Sequence, residues 1–204
     1  MLTIYGSPRT SAGRCFWCLE EVGTPYQHKT INFKEEEHKS AEFLAINPNG
    51  KIPALVDGDF TLWESVAINF YLADKYKPEL LSDKPEERGL ISQWSLWSMV
   101  DLQVPMIDIF IQKVFVPDER RDQSVIDKAL KKLPDLLGTL ERGLEDRKYL
   151  LGDRFSLADL NVASVAMICE GINYDLKDYP AIKSWLGHVT ERPAYQRYMA
   201  LRGK

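Results

Sequence analysis

Every run in this 204-residue chain that reads as a β-strand lies before residue 64. LTIY (2–5), YQHKTI (26–31), IPALV (52–56) and FTLW (60–63) carry the β-branched and aromatic residues that suit a pleated, half-buried surface. Three helical segments alternate with them. Residues 12–22 are closed by Gly23, SAEFLAI (40–46) is stopped by Asn47-Pro48-Asn49-Gly50, and ESVAINFYLADKY (64–76) follows the last strand. Gly6-Ser7-Pro8 marks a turn after the first strand, and Asp57-Gly58 is a hairpin signal that makes the last two strands an antiparallel pair. The order over residues 1–76 is βαβαββα, an α/β domain.

After a Pro- and charge-rich linker, residues 77–87, the strand pattern disappears. Helical periodicity covers about 87–115, 122–146, 156–171, 180–191 and 193–201, so residues 88–204 form an all-α domain. Ser156-Leu157-Ala158-Asp159 has the form of an N-terminal capping box, and the helix it opens is apolar on nearly every face. That helix is expected at the centre of the second domain.

Composition narrows the function classes. A hydrophobic content of 45% is ordinary for a chain that buries a core, and the net charge of −4 comes from interleaved acids and bases. Without a basic block, nucleic acid is not an expected partner. MLTIYGSPRT has no secretory pattern and no stretch is long and apolar enough to span a membrane, which makes the cytoplasm the expected location. Cys15, Cys18 and Cys169 are an odd number and too few for a disulfide framework. Cys15-Phe16-Trp17-Cys18 has the spacing of a redox dithiol, yet both thiols fall inside the first helix, away from the N-terminal end that lowers a thiol pKa. They read as packing residues.

Residues 37–76 contain the pattern NPxGxxPxLxDGxxxLxES followed by Ala67-Ile68, and FSLADL (155–160) stands where a second motif belongs. With the βαβαββα unit and helical bundle, this resembles the glutathione S-transferase family across essentially the whole chain, with a phi-like or chi-like bacterial pattern around His38-Lys39 and the first helix. The resemblance implies a thioredoxin-like N-terminal domain and an all-helical C-terminal domain. It also implies glutathione as co-substrate with no metal, a small hydrophobic electrophile as second substrate, and a homodimer. The implied reaction is conjugation. Glutathione-dependent disulfide or peroxide reduction, and a non-catalytic interaction module, are the alternatives.

The residues suit that tripeptide. Ile52-Pro53 opens a strand, and the resemblance implies a cis peptide that presents the Ile52 backbone to the cysteinyl unit of the ligand. Glu64-Ser65 begins a helix whose first N–H groups and hydroxyl suit the γ-glutamyl carboxylate, while Glu64 suits its ammonium. Lys51, His38 and Lys39 offer donors for the glycine carboxylate. Thr10 and Ser11, just before the first helix, are the candidate donors to the thiol; Thr10 falls nearest the family's hydroxyl position and Ser11 is its neighbour. Arg9 and Arg14 are possible supporting charges, Tyr5 a structural aromatic, and His28 and His188 structural or exposed. The electrophile pocket is expected between the domains, with Trp97, Met99, Gln103 and Met106 as one wall and Trp94 nearby, although a stripe of this kind also suits core packing. Asp101 is a candidate to approach the partner's γ-glutamyl amine in a dimer.

Overall fold

Leu2–Tyr5 is buried along its whole length, as suits an inner strand of a four-stranded sheet. The computed structural model describes residues 1–203, and its contacts divide the chain into two units. The first runs from Met1 to Ser82 and regains the chain from Glu191 onward. It contains β1 (Leu2–Tyr5), α1 (Gly13–Val22), β2 (Gln27–Lys29), α2 (Ala41–Ile46), β3 (Ala54–Asp57), β4 (Phe60–Trp63) and α3 (Ser65–Tyr76), the expected order. The sheet runs β2-β1-β3-β4. β1 and β2 are parallel, Ile4 opposite His28, and α1 is their crossover. β3 lies antiparallel to β1, with Tyr5 opposite Ala54, and pairs with β4 through a tight turn in which Gly58 takes a φ of +63°.

α1 is buried from Gly13 through Leu19, far more than an amphipathic helix on one sheet requires. The reason is a second cover. The last helix of the chain, numbered below as α11 (Pro193–Arg202), packs on α1 together with α3. Its contacts place it with the first unit, so the expected all-helical domain 88–204 loses its final helix. Paired charges and stacked rings cause this: Arg192 binds Glu21, Arg197 binds Glu20, and Tyr195 and Tyr198 pack on Trp17. The expected linker is also partly structured, with Leu80 and Leu81 buried.

The second unit, Asp83–Thr190, is helical. Its elements are α4 (Pro85–Trp97), α5 (Gln103–Phe110), α6 (Gln123–Leu130), α7 (Leu133–Leu144), α8 (Leu157–Ala166), α9 (Ile168–Gly171) and α10 (Pro180–Thr190). The expected helix 87–115 is interrupted by two wider π turns, Ser98–Leu102 between α4 and α5 and Ile111–Phe115 after α5. Pro105 accounts for the first: it lacks an N–H, and its ring would meet the carbonyl four residues back, so the preceding turn opens. The expected helix 122–146 likewise breaks at Lys131-Lys132, just ahead of Pro134, which sits in the first turn of α7. α8 is the buried centre, as its sequence requires, and the capping box forms. Asp159 accepts hydrogen bonds from the Ser156 N–H and hydroxyl, the Leu150 N–H and the Trp185 indole, each 2.8 or 2.9 Å long. Burial pushes its carboxyl upward, and these four donors pull against that shift.

Candidate active site

The turn between β1 and α1 separates the two candidate hydroxyls. Thr10 Oγ1 donates to the Ser7 carbonyl at 2.8 Å and accepts from the Ala12 N–H at 3.3 Å, so it is engaged in the turn's own bonding. Ser11 Oγ is exposed and points across to the loop that leads into β3, donating to the Ile52 carbonyl at 3.5 Å. That distance is at the limit of a hydrogen bond, so the hydroxyl can exchange this partner at small cost. Ser11 and Ile52, 41 residues apart in sequence, are thus neighbours. The Ile52–Pro53 peptide is cis, as the resemblance implies, and the ladder with β1 begins one residue later at Ala54. Tyr5, on β1, packs with Phe43 and Ala54 in the core.

Asn47 organises the next segment, a role the sequence reading missed although Asn47-Pro48-Asn49-Gly50 signalled a turn. Its buried side chain donates to the Lys51 carbonyl at 2.6 Å and accepts from the Asn49 N–H at 3.0 Å. Gly50 adopts a φ of +60°, and a Cβ there would stand 3.0 Å from the His38 carbonyl. This close approach draws the loop before Lys51 against the 3₁₀ turn Glu37–Lys39, so that the backbones of Gly50 and His38 meet. Lys51 and Lys39 are exposed, and Lys39 pairs with Glu36. The His38 ring lies against Phe33, and its buried Nδ1 has no hydrogen-bond partner in the structure.

At the start of α3, Glu64 holds a φ of +71° with a ψ of +116°. A non-glycine residue in such a conformation costs about 1–3 kcal/mol and is retained where the surroundings impose it. It exposes the Glu64 side chain at the mouth of the α3 N-terminus. Behind it the buried Ser65 hydroxyl accepts a hydrogen bond from Arg14 Nη1 at 3.2 Å. The guanidinium sits in a desolvated position that lowers its pKa, and a nearby anion is therefore favoured. Arg14 and Ser65, 51 residues apart, form one positive helix terminus. Arg9 is directed elsewhere, donating from Nε to the Arg202 carbonyl at 2.7 Å.

The CxxC thiols are buried against the backbone of α3. Both cysteines are fully buried and free; Cys15 donates to the Ser65 carbonyl at 3.4 Å and Cys18 to the Asn69 carbonyl at 3.7 Å. Burial pushes Cys15 up to about 12 and Cys18 well above its ordinary value. His28 is structural, bonding the Gly6 carbonyl at 2.8 Å with its ring edge-on to Phe16; His188 lies 6.4 Å from the Tyr149 ring.

The remaining candidates belong to the second unit. Trp94 and Trp97 meet edge to face at 5.3 Å, and Trp94 also lies against Gly143 of α7. Met106 is completely buried, so it serves packing and is removed from the expected pocket wall. The π turn explains this: it adds residues per turn between Met99 and Met106, so the expected stripe does not stay on one face. Met99, Gln103 and Trp97 remain partly accessible. Asp101 is exposed and edges a shallow groove of about 350 Å³ that Val100, Val104, Pro105, Lys132 and Leu136 also line.

The model of the glutathione S-transferase N-terminal domain matches residues 1–74, and that of the glutathione S-transferase C-terminal domain matches residues 105–193. The chain belongs to the glutathione S-transferase family. Glutathione S-transferase 1 of Zea mays is 39% identical over 206 aligned positions, covering 98% of this chain and 96% of the relative. Glutathione S-transferase GstB of Escherichia coli (strain K12) is 31% identical, covering 98% and 99%. Among solved structures, glutathione S-transferase I from mais in complex with an atrazine glutathione conjugate superimposes with a TM-score of 0.91 at 39% identity, covering 99% of this chain and 98% of that one. Both halves of the family's fold are therefore present. Among the described residues no cluster of His, Cys, Asp and Glu is placed to hold a metal ion, and no helix is long and apolar enough to cross a membrane.

Proposed function

We propose that this chain binds glutathione along the first unit, stabilises its thiolate and joins the sulfur to a hydrophobic electrophile. The observation that carries this reading is the exposed Ser11 hydroxyl facing the Ile52 carbonyl beside the cis peptide. A tripeptide whose cysteinyl backbone pairs with Ile52 brings its sulfur to the start of α1, where the exposed Ser11 hydroxyl can exchange its long bond to Ile52 for the sulfur. Arg14, Ser65 and the α3 N-terminus suit the γ-glutamyl carboxylate, Glu64 its ammonium, and Lys51, His38 and Lys39 the glycine carboxylate.

The energetics close. A free thiol has a pKa of about 8.5, and a drop of two units needs roughly 2.7 kcal/mol. A hydrogen bond from a hydroxyl to the anion supplies about 1.5–3 kcal/mol, and the α1 terminus about 0.3–1 kcal/mol. One hydroxyl is sufficient, and the reading assigns it to Ser11, with Thr10 shaping the turn. The bound thiolate then attacks an electrophilic carbon, its leaving group departs, and the protein contributes ionisation and proximity. Conjugation of glutathione to an activated aryl halide tests this directly; no turnover above the solution rate would overturn it. The buried CxxC thiols give no support to dithiol reduction.

The same reading includes a cytoplasmic homodimer. Support for the dimer comes from large apolar side chains left in water, Phe60 and Trp63 on the first unit and Leu96, Val100 and Val104 on the second. Light scattering after size exclusion should give twice the mass of 23.4 kDa.

A further inference from the structure

The turn that carries Ser11 rests on the far end of the chain. The Tyr198 hydroxyl donates to the Pro8 carbonyl at 3.3 Å, three residues before Ser11. It occupies a notch that exists because residue 13 is glycine: a Cβ on Gly13 would lie 2.6 Å from the Tyr198 hydroxyl oxygen and 2.7 Å from the Pro8 carbonyl oxygen. A second tie is the bond from Arg9 Nε to the carbonyl of Arg202, one helical turn beyond Tyr198. The ring itself is held. It stacks parallel to Trp17, with centroids 6.2 Å apart and planes at 8°, and the Arg202 guanidinium lies 5.9 Å from its centre. Desolvation raises the phenol pKa, so the hydroxyl remains a donor across the working pH range.

Local bonds give the turn its shape but not its height. Thr10 N–H and Oγ1 both bond the Ser7 carbonyl, and the Gly13 N–H bonds Thr10. Beneath Pro8 the turn rests on the Tyr198 hydroxyl.

We propose that α11 is a positioning element for Ser11, acting through the Tyr198 hydroxyl on Pro8 and the Arg202 carbonyl on Arg9. The proposal rests on the assignment of Ser11 as donor to the glutathione thiol. Tyr198 touches neither substrate. It fixes the separation between the Ser11 hydroxyl and the ligand sulfur, and donor strength at such a site falls steeply with misplacement.

The test is the ionisation of enzyme-bound glutathione, followed by thiolate ultraviolet absorbance against pH, with glutathione affinity measured separately below the thiol pKa. Tyr198→Phe keeps the ring and its stacking and removes only the hydroxyl. It should raise the apparent thiol pKa by about half to one unit, while affinity changes less than about twofold. Ser11→Ala should raise it by about one to two units, and the double variant no further than Ser11→Ala alone, because Tyr198 acts through Ser11. Arg9→Lys, which keeps the charge and loses the Nε donor, should shift the pKa in the same direction by less. It decides the matter if Tyr198→Phe does not fold. A Tyr198→Phe titration identical to the parent overturns the proposal, as does a double variant whose shifts add. A silent Ser11→Ala is a different pattern: it removes the assignment of Ser11, and a persisting Tyr198→Phe shift beside it would also end the claim of action through Ser11.

Discussion

Arg192 binds both carboxylate oxygens of Glu21, Nε to one and Nη2 to the other, each at 2.7 Å. The Glu21 side chain is only 2% exposed and the Arg192 side chain 25%. Such a pair gives little net stability over an apolar one, but breaking it strands a buried charge. Arg192→Ala should therefore cost about 3 kcal/mol, the lower end for buried pairs because arginine keeps part of its surface in water. Urea denaturation should show the loss as a lower midpoint; an unchanged midpoint would show that water replaces the guanidinium without penalty.

Ser11 and Thr10 should separate in kinetics. Ser11→Ala should lower the rate of conjugation about 10- to 150-fold at neutral pH, equivalent to one charge-assisted hydrogen bond of about 1.5–3 kcal/mol. Thr10→Ala should leave that rate within a few-fold and appear instead as a modest loss of stability, about 0.5–1.5 kcal/mol, from the lost turn bonds. The reverse ranking would transfer the donor role to Thr10.

Asp57 sets an acid limb. Its Oδ2 accepts hydrogen bonds from Lys75, from Tyr71 at 2.8 Å and from Tyr76 at 2.9 Å. The Lys75 bond first, and the tyrosines with it, hold the carboxyl down at about 2 from an ordinary 3.8. The unfolded chain therefore takes up this proton at higher pH than the folded one, and stability present above pH 3.8 is lost as pH falls toward 2. Asp57→Asn should melt below the parent at neutral pH, and the gap should close between about pH 4 and 2. Thermal melts across that range check it.

The three cysteines should behave as inert core groups. A small thiol reagent at pH 8 should label none of them in the folded protein and all of them in urea, since each is buried and free. Folding raises Cys15 and Cys169 from 9.0 to about 12. Their contribution to stability is complete below pH 9 and should be lost as pH rises toward 12. Rapid labelling of the native chain would return the CxxC pair to consideration.

The strands, the hairpin and the α8 capping box were legible because their causes are local: alternation, Asp57-Gly58, and Ser156 three residues before Asp159. Ile52-Pro53, Glu64 and Ser65 were legible through the pattern around them. The choice between Ser11 and Thr10 was not, because adjacent hydroxyls carry the same chemistry and differ only in direction. That direction follows from the bonding of the turn and from Tyr198, 190 residues beyond Pro8. The loss of Met106 from the pocket wall had a signal in Pro105, but its effect falls on the turn before it. The attachment of α11 to α1 had none, since isolated Arg192, Arg197 and Tyr198 read as an ordinary surface helix.

That attachment also sets an order of events during synthesis. The first unit is interrupted in sequence by the whole of the second, so its Trp17 face lacks its cover while the ribosome is still translating residues 83–190. Of the two units, the one that starts to emerge earlier is the later to be completed. A nascent or truncated chain ending before Glu191 exposes an aromatic surface and a lone Glu21, and for such a fragment aggregation and proteolysis compete with folding.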